Sequence, residues 1–200
     1  MYQKSRAWIE LDFNHLRNNV LEFQKILPAE CELMPAVKAD AYGHGAVPVC
    51  TALQDMGIRN FCVASAEEGA ELRQAGIRGE ILVLGYTHPE LFGVLLEYGL
   101  TQTVIDLEYA RLLDQFGRER CRHVAAHVSV DTGMHRLGER STDVERILDI
   151  WKQDNLDITG VFSHLCVSDG NSEADRRFTT EQIRKYETLI AALHRAGISG

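Results

Sequence analysis

The sequence predicts an α/β chain built on parallel strands, and three observations carry that expectation. Short β-branched or aliphatic runs alternate with longer amphipathic stretches along all 200 residues. The amphipathic stretches close at glycine or proline, the residues that end a helix. Successive strand-like runs are separated by a helix's length of chain, which suits right-handed crossovers between parallel strands. A content of 45% hydrophobic and 25% charged residues lies near the globular average, which excludes a disordered, collagen-like or low-complexity chain.

Ala7 to Leu11 reads as a short opening strand, and Asp12 caps a helix whose apolar positions Phe13, Leu16, Val20, Phe23 and Leu27 recur at helical spacing up to Pro28. Glu32 to Ala39 reads as a strand through Leu33, Met34, Ala36 and Val37, followed by a helix from Ala46 to Met56 that stops at Gly57. The alternation then repeats: strand 61–64 and helix 66–74, strand 81–84 and helix 89–98, strand 101–105 and helix 107–116. Strand 124–130 and helix 143–153 follow, then strand 158–165 and a long helix from Glu173 to Ala196 closed by Gly197.

An open doubly wound sheet and a (β/α)8 barrel both fit this rhythm. A nucleotide-binding sheet usually carries a glycine-rich turn after its first strand, and neither G-x-G-x-x-G nor G-x-x-x-x-G-K-[ST] occurs here. The barrel is therefore favoured, with about six of eight strand–helix units present from residue 32 onward; the remainder would need roughly 55 further residues at the same rhythm.

The net charge is −8, from 21 basic and 29 acidic residues. The basic residues form no run, so a nucleic-acid surface is not expected. No stretch approaches the roughly 20 consecutive apolar residues that span a bilayer, and the first residues show no signal-peptide pattern. The five cysteines, Cys31, Cys50, Cys62, Cys121 and Cys166, are scattered and never spaced C-x-x-C; they read as small buried hydrophobes in a reducing compartment. No metal-ligand spacing is found among the histidines.

Barrel chemistry sits at the C-terminal ends of strands, and three such ends carry polar residues. In 36–45 (AVKADAYGHG) Lys38 lies inside an apolar run. A desolvated lysine there turns nucleophilic, as a Schiff-base lysine must; the competing reading is a lysine whose ammonium reaches back to water. The glycines after Tyr42 permit close backbone approach to a ligand or form a plain turn. In 131–138 (DTGMHRLG) Arg136 offers a planar fork to a carboxylate or phenolate oxygen, or pairs with a surface acid. His164, in 162–165 (FSHL), faces a barrel mouth or is satisfied by a core neighbour.

The segments 36–45 and 131–138 resemble the two signatures of the alanine racemase family, and Arg6 to Asp12 is similar to that family's opening strand. The resemblance covers essentially the whole chain and implies a barrel domain that binds pyridoxal 5'-phosphate (PLP). It implies that Lys38 bonds PLP covalently and serves as the base on the face that handles the D-enantiomer's α-proton. Tyr42 would hydrogen-bond the cofactor phosphate, and Arg136 would sit near the phenolic oxygen and the substrate carboxylate. His164 would lie beside the pyridine ring, with Leu82 and Leu84 lining the pocket.

The family's second base is a tyrosine on a C-terminal β domain, reaching into the partner subunit of a homodimer. That domain, the last two barrel strands, the phosphate-side Asn-Ser and the arginine facing the pyridine nitrogen are absent from these 200 residues, which by themselves are expected to be inactive. Ser129 stands where many members carry a carbamylated lysine that holds the arginine, while Asp40 and His135 stand where Asn and Gly are also common. The implied activity is PLP-dependent interconversion of L- and D-alanine, supplying D-amino acids for peptidoglycan. A serine-preferring racemase of the glycopeptide-resistance type and a non-catalytic PLP-binding homeostasis protein are the alternatives. The implied location is the cytoplasm, or the cytoplasmic part of a membrane-anchored protein.

Overall fold

The computed structural model describes residues 7–198. Arg6, part of the opening motif, lies outside them. The chain forms two compact units, one ending at Gly85 and the other beginning at Tyr86.

The first unit opens with α1 (Phe13–Ile26), capped by the Asp12 side chain, which accepts the Asn14 N–H at 2.8 Å. The expected helix forms, but Val20 is its only buried residue, and Phe13, Phe23 and Ile26 stay exposed. The expected strand at 7–11 does not form, because strand propensity expresses itself only against a neighbouring strand. The expected strand at 32–39 reduces to one parallel bridge, Ala36 to Cys62. Two hydrogen bonds hold it, from Val37 N–H to the Cys62 carbonyl at 2.8 Å and from Cys62 N–H to the Pro35 carbonyl at 2.9 Å. Pro35 has no N–H to extend the ladder, and beyond Val37 the chain leaves the extended conformation altogether.

It does so in α2 (Lys38–Gly43), where Ala39, Asp40, Ala41 and Tyr42 all have φ between 51° and 55°. This is a left-handed turn made of four consecutive non-glycine residues. Each costs about 1–2 kcal/mol against the right-handed alternative, so surrounding contacts must hold the turn. The expectation that Lys38 lies within a strand is corrected: it is the first residue of this turn.

The rest of the first unit follows the expected order, with α3 (Ala46–Asp55), β1 (Phe61–Val63), α4 (Ala66–Gln74) and β2 (Ile81–Val83). Strands β1 and β2 pair in parallel, Cys62 opposite Leu82. Cys50, Leu53, Phe61, Leu72 and Ile81 fill the space between this ladder and the helices, each stabilising the unit by about 1.5–3 kcal/mol through burial.

The second unit begins with a 3-10 turn at Pro89–Leu91, which leads into α5 (Phe92–Tyr98). It continues through β3 (Thr101–Val104), α6 (Leu107–Arg120), β4 (Val124–Asp131), β5 (Glu139–Arg140), α7 (Val144–Trp151), β6 (Leu156–Phe162) and α8 (Glu173–Arg195). β4 is central, paired in parallel with β3 on one side and β6 on the other. Only β5 was not anticipated; it returns the 132–138 loop to β4, Val130 opposite Glu139. Helix α8 starts with a capping box, in which Ser172 and Asp175 satisfy each other's backbone N–H. Leu189 and Leu193 of α8 are buried with Ile147 and Ile150 of α7.

Cys50 and Cys62 are buried as expected, and burial raises their thiols to about 12 and about 11, so both stay protonated. Cys31 and Cys121 are exposed and Cys166 is half-buried, against the expectation of five buried cysteines. Among the described residues no group of histidine, cysteine and carboxylate side chains is arranged to hold a metal, and no helix is long and apolar enough to cross a membrane.

Candidate active site

In the first unit, Ala36, Cys62 and Leu82 fall in one row across the parallel ladder. Two residues further along each segment, past the ends of the paired stretches, stand Lys38, Ala64 and Leu84. Leu82 is buried at 4% exposure. Leu84 lies just past β2, half-buried, its N–H bound to the Val63 carbonyl at 2.8 Å. Lys38 is half-buried at the end of its segment, close enough to Cys62 for its charge to oppose the rise in the thiol's pKa.

Among the described residues Lys38 has no carboxylate within ion-pairing distance. A half-buried amine without an acid partner is what bonding to a carbonyl group requires, so this residue fits the covalent attachment of PLP. The same turn presents Tyr42, 63% exposed. Its far end is fixed by Asp40, whose Oδ1 accepts the Ala46 N–H at 2.6 Å and whose carbonyl accepts the Gly45 N–H at 2.9 Å. The turn's Ala41 and His44 also line a cavity of about 710 Å³ shared with α1.

The other candidate residues lie at the C-terminal ends of β4 and β6 in the second unit. Arg136 rides at the tip of the 132–138 loop, exposed. The Asp131 carboxylate shapes that loop from within: Oδ1 accepts the Gly133 N–H at 2.8 Å and the His135 N–H at 3.0 Å, while Oδ2 meets the His135 Nδ1 at 2.8 Å. His135 itself is left-handed, with φ 56°, which explains why glycine suits this position. Gly138 is required where it is. At φ +108°, a Cβ would lie 2.9 Å from the Asp131 nitrogen and 2.9 Å from the Val130 carbonyl carbon. Ser129 is buried on β4 and supplies no charge to the arginine.

Burial would raise the Asp131 carboxyl, but the two N–H donors and the His135 ring outweigh it, and the net shift is downward. A carboxylate depressed in the folded state stabilises above its unfolded pKa of about 3.9, and that contribution is lost as pH falls through the lower folded value. Protection of the Gly133 and His135 amides, relative to a free chain at the same pH, is therefore expected to hold from neutral pH to about pH 4 and to be lost only below it. Loss of protection already at pH 6 would show that the carboxylate does not hold the loop.

His164 lies two residues beyond β6 and is exposed, not within the strand as expected. Its carbonyl accepts the Gln182 Nε2 at 2.9 Å. Gln182, on α8 and 1% exposed, also donates to Thr132 Oγ1 at 3.1 Å and accepts the Cys166 N–H at 3.2 Å. Thr132 Oγ1 and Ser163 Oγ meet at 2.8 Å, and Ser163 donates to the Val130 carbonyl at 2.9 Å. One buried amide thus ties the start of the Arg136 loop to the segment carrying His164. The sequence reading missed it, although a signal was present: Gln182 lies on the same helical face as the buried Leu189 and Leu193, where a polar residue calls for buried partners.

Parallel strands alternating with helices along the described residues define a chain of the α/β barrel class. The sequence model of the alanine racemase N-terminal domain matches residues 11–200, and the chain belongs to the alanine racemase family. It is 40% identical over 193 residues to alanine racemase from Symbiobacterium thermophilum, covering 96% of this chain and 50% of that protein. It is 41% identical over 185 residues to an amino-acid racemase from Enterococcus faecalis, covering 92% of this chain and 26% of that protein. The structure matches alanine racemase from Clostridium difficile 630 in complex with cycloserine, with a TM-score of 0.88 and 33% identity over 93% of this chain and 51% of that one. The fold class is the family's (β/α)8 barrel, of which this chain carries a part. It spans about half the length of the alanine racemases it matches and about a quarter of the amino-acid racemase.

Proposed function

We propose that this chain is the lysine-bearing barrel portion of a PLP-dependent racemase that interconverts L- and D-alanine. The observation that carries the reading is Lys38: a half-buried amine without an ion-pair partner, set at a strand end by a strained turn, in a chain of this family. When bound, PLP supplies the electron sink that lets an amino acid lose its α-proton. Lys38 holds the cofactor and then moves a proton at Cα on the D-face. Tyr42 would hydrogen-bond the phosphate, Arg136 would sit near the phenolic oxygen and the substrate carboxylate, His164 would lie beside the pyridine ring, and Leu82 and Leu84 would line the pocket.

Racemisation needs a base on each face of Cα; membership of the family supports a second base from a tyrosine of a further domain, acting across a homodimer. Its product feeds peptidoglycan synthesis in the cytoplasm. With Ser129 in place of a charged residue, the Asp131 clasp and Gly138 take over the placement of Arg136. A serine-preferring racemase is the second reading, left open by a relative named for amino acids at large and not for alanine.

Purified full-length protein assayed with each enantiomer of alanine and serine is expected to racemise alanine faster than serine, with PLP bound. A faster rate on serine favours the second reading. PLP binding without racemisation of either amino acid favours a carrier protein and overturns the proposal.

A further inference from the structure

We infer that Glu68 is a positioning residue for Lys38, acting as an external clamp that keeps the turn after the lysine left-handed. The inference rests on the reading of Lys38 as the PLP lysine. The Glu68 carboxylate is split between two backbone donors: Oε1 accepts the Ala39 N–H at 2.8 Å and Oε2 accepts the Ala64 N–H at 2.7 Å. Ala39 directly follows Lys38 and is the first left-handed residue of the turn. Ala64 directly follows β1. One side chain therefore fastens the turn to the end of the neighbouring strand at the point where Lys38 is presented.

A run of left-handed non-glycine residues does not hold itself together, since its backbone prefers the right-handed form. The turn's other hydrogen bonds come from its own neighbourhood: Ala41 N–H to the Val37 carbonyl, and the Asp40 and His44 contacts. Among the described residues, Glu68 is the only side chain from outside residues 37–46 that hydrogen-bonds this segment. It is itself held, half-buried, in the first turn of α4, where a negative charge suits the helix N-terminus.

Glu68→Gln conserves shape but leaves one acceptor oxygen and puts an NH₂ group against the second N–H. In the full-length protein, amide exchange of the 38–43 segment is expected to accelerate about tenfold, the opening that loss of one charge-assisted hydrogen bond to a backbone N–H implies. PLP trapped on Lys38 by borohydride reduction falls in parallel, and kcat falls while KM for alanine stays within about twofold. Adding Ala39→Gly restores exchange, trapping and kcat together, because glycine takes the left-handed conformation without strain.

A Gln variant with unchanged exchange and trapping overturns the inference. So does a loss that Ala39→Gly fails to restore, which assigns the effect to the lost charge. Exchange is read without cofactor. If the unmutated protein takes up no PLP, the reading of Lys38 fails while the clamp is still judged by exchange.

Discussion

Lys38→Ala in the full-length protein is expected to abolish covalent PLP attachment and racemisation together. Removing the lysine amine takes away the bond to the cofactor and the D-face proton carrier at once, so the residual rate is expected to fall by at least about 10³-fold. The fold is expected to survive, because the amine makes no ion pair whose loss would leave a buried charge, and alanine is no worse than lysine at this exposure. The measurement is the near-ultraviolet and visible absorbance of PLP-treated protein, followed by chiral assay of alanine. A Lys38→Ala protein that still racemises alanine would falsify the central reading.

Gln182→Leu is expected to produce the largest loss of stability. The substitution nearly conserves volume, so packing changes little. It leaves the His164 carbonyl, the Cys166 N–H and one contact of Thr132 without their buried partner. At about 1–3 kcal/mol for each unsatisfied group, the total is about 3 kcal/mol or more. In the full-length protein, at about twice this length in the alanine racemases it matches, that lowers Tm by roughly 3–6 °C. Because the same amide ties the Arg136 loop to the His164 segment, KM for alanine is also expected to rise. Thermal unfolding within 2 °C of the unmutated protein would show that the network does not carry the load assigned to it.

Much of the fold was legible in the residues. Every helix expected from apolar periodicity is present, and Asp12, Ser65, Asp106 and Ser172 cap helices with their side chains. These signals are local: a cap or an amphipathic stripe is decided within a few residues. The two signatures were legible too, and they located Lys38 and Arg136. The failures came where conformation depends on distant partners. The opening strand at 7–11 does not form, the strand before Lys38 shrinks to one bridge, and β5 is a two-residue return that no periodicity announces.

The amino-acid sequence by itself determined the alternation of helix and strand, the family, and which lysine and arginine are proposed to carry the chemistry, because motif and periodicity are properties of neighbouring residues. The tertiary structure alone decided how those residues are held. Four left-handed residues without glycine read as an ordinary strand end until Glu68, 29 positions from Ala39, supplies the acceptor that keeps them there. Gln182 reads as one polar residue on a long helix until Thr132, His164 and Cys166 are folded around it. Hydrogen bonds between residues far apart in the chain leave no spacing to read, yet an unmet donor or acceptor is costly enough to decide the local conformation.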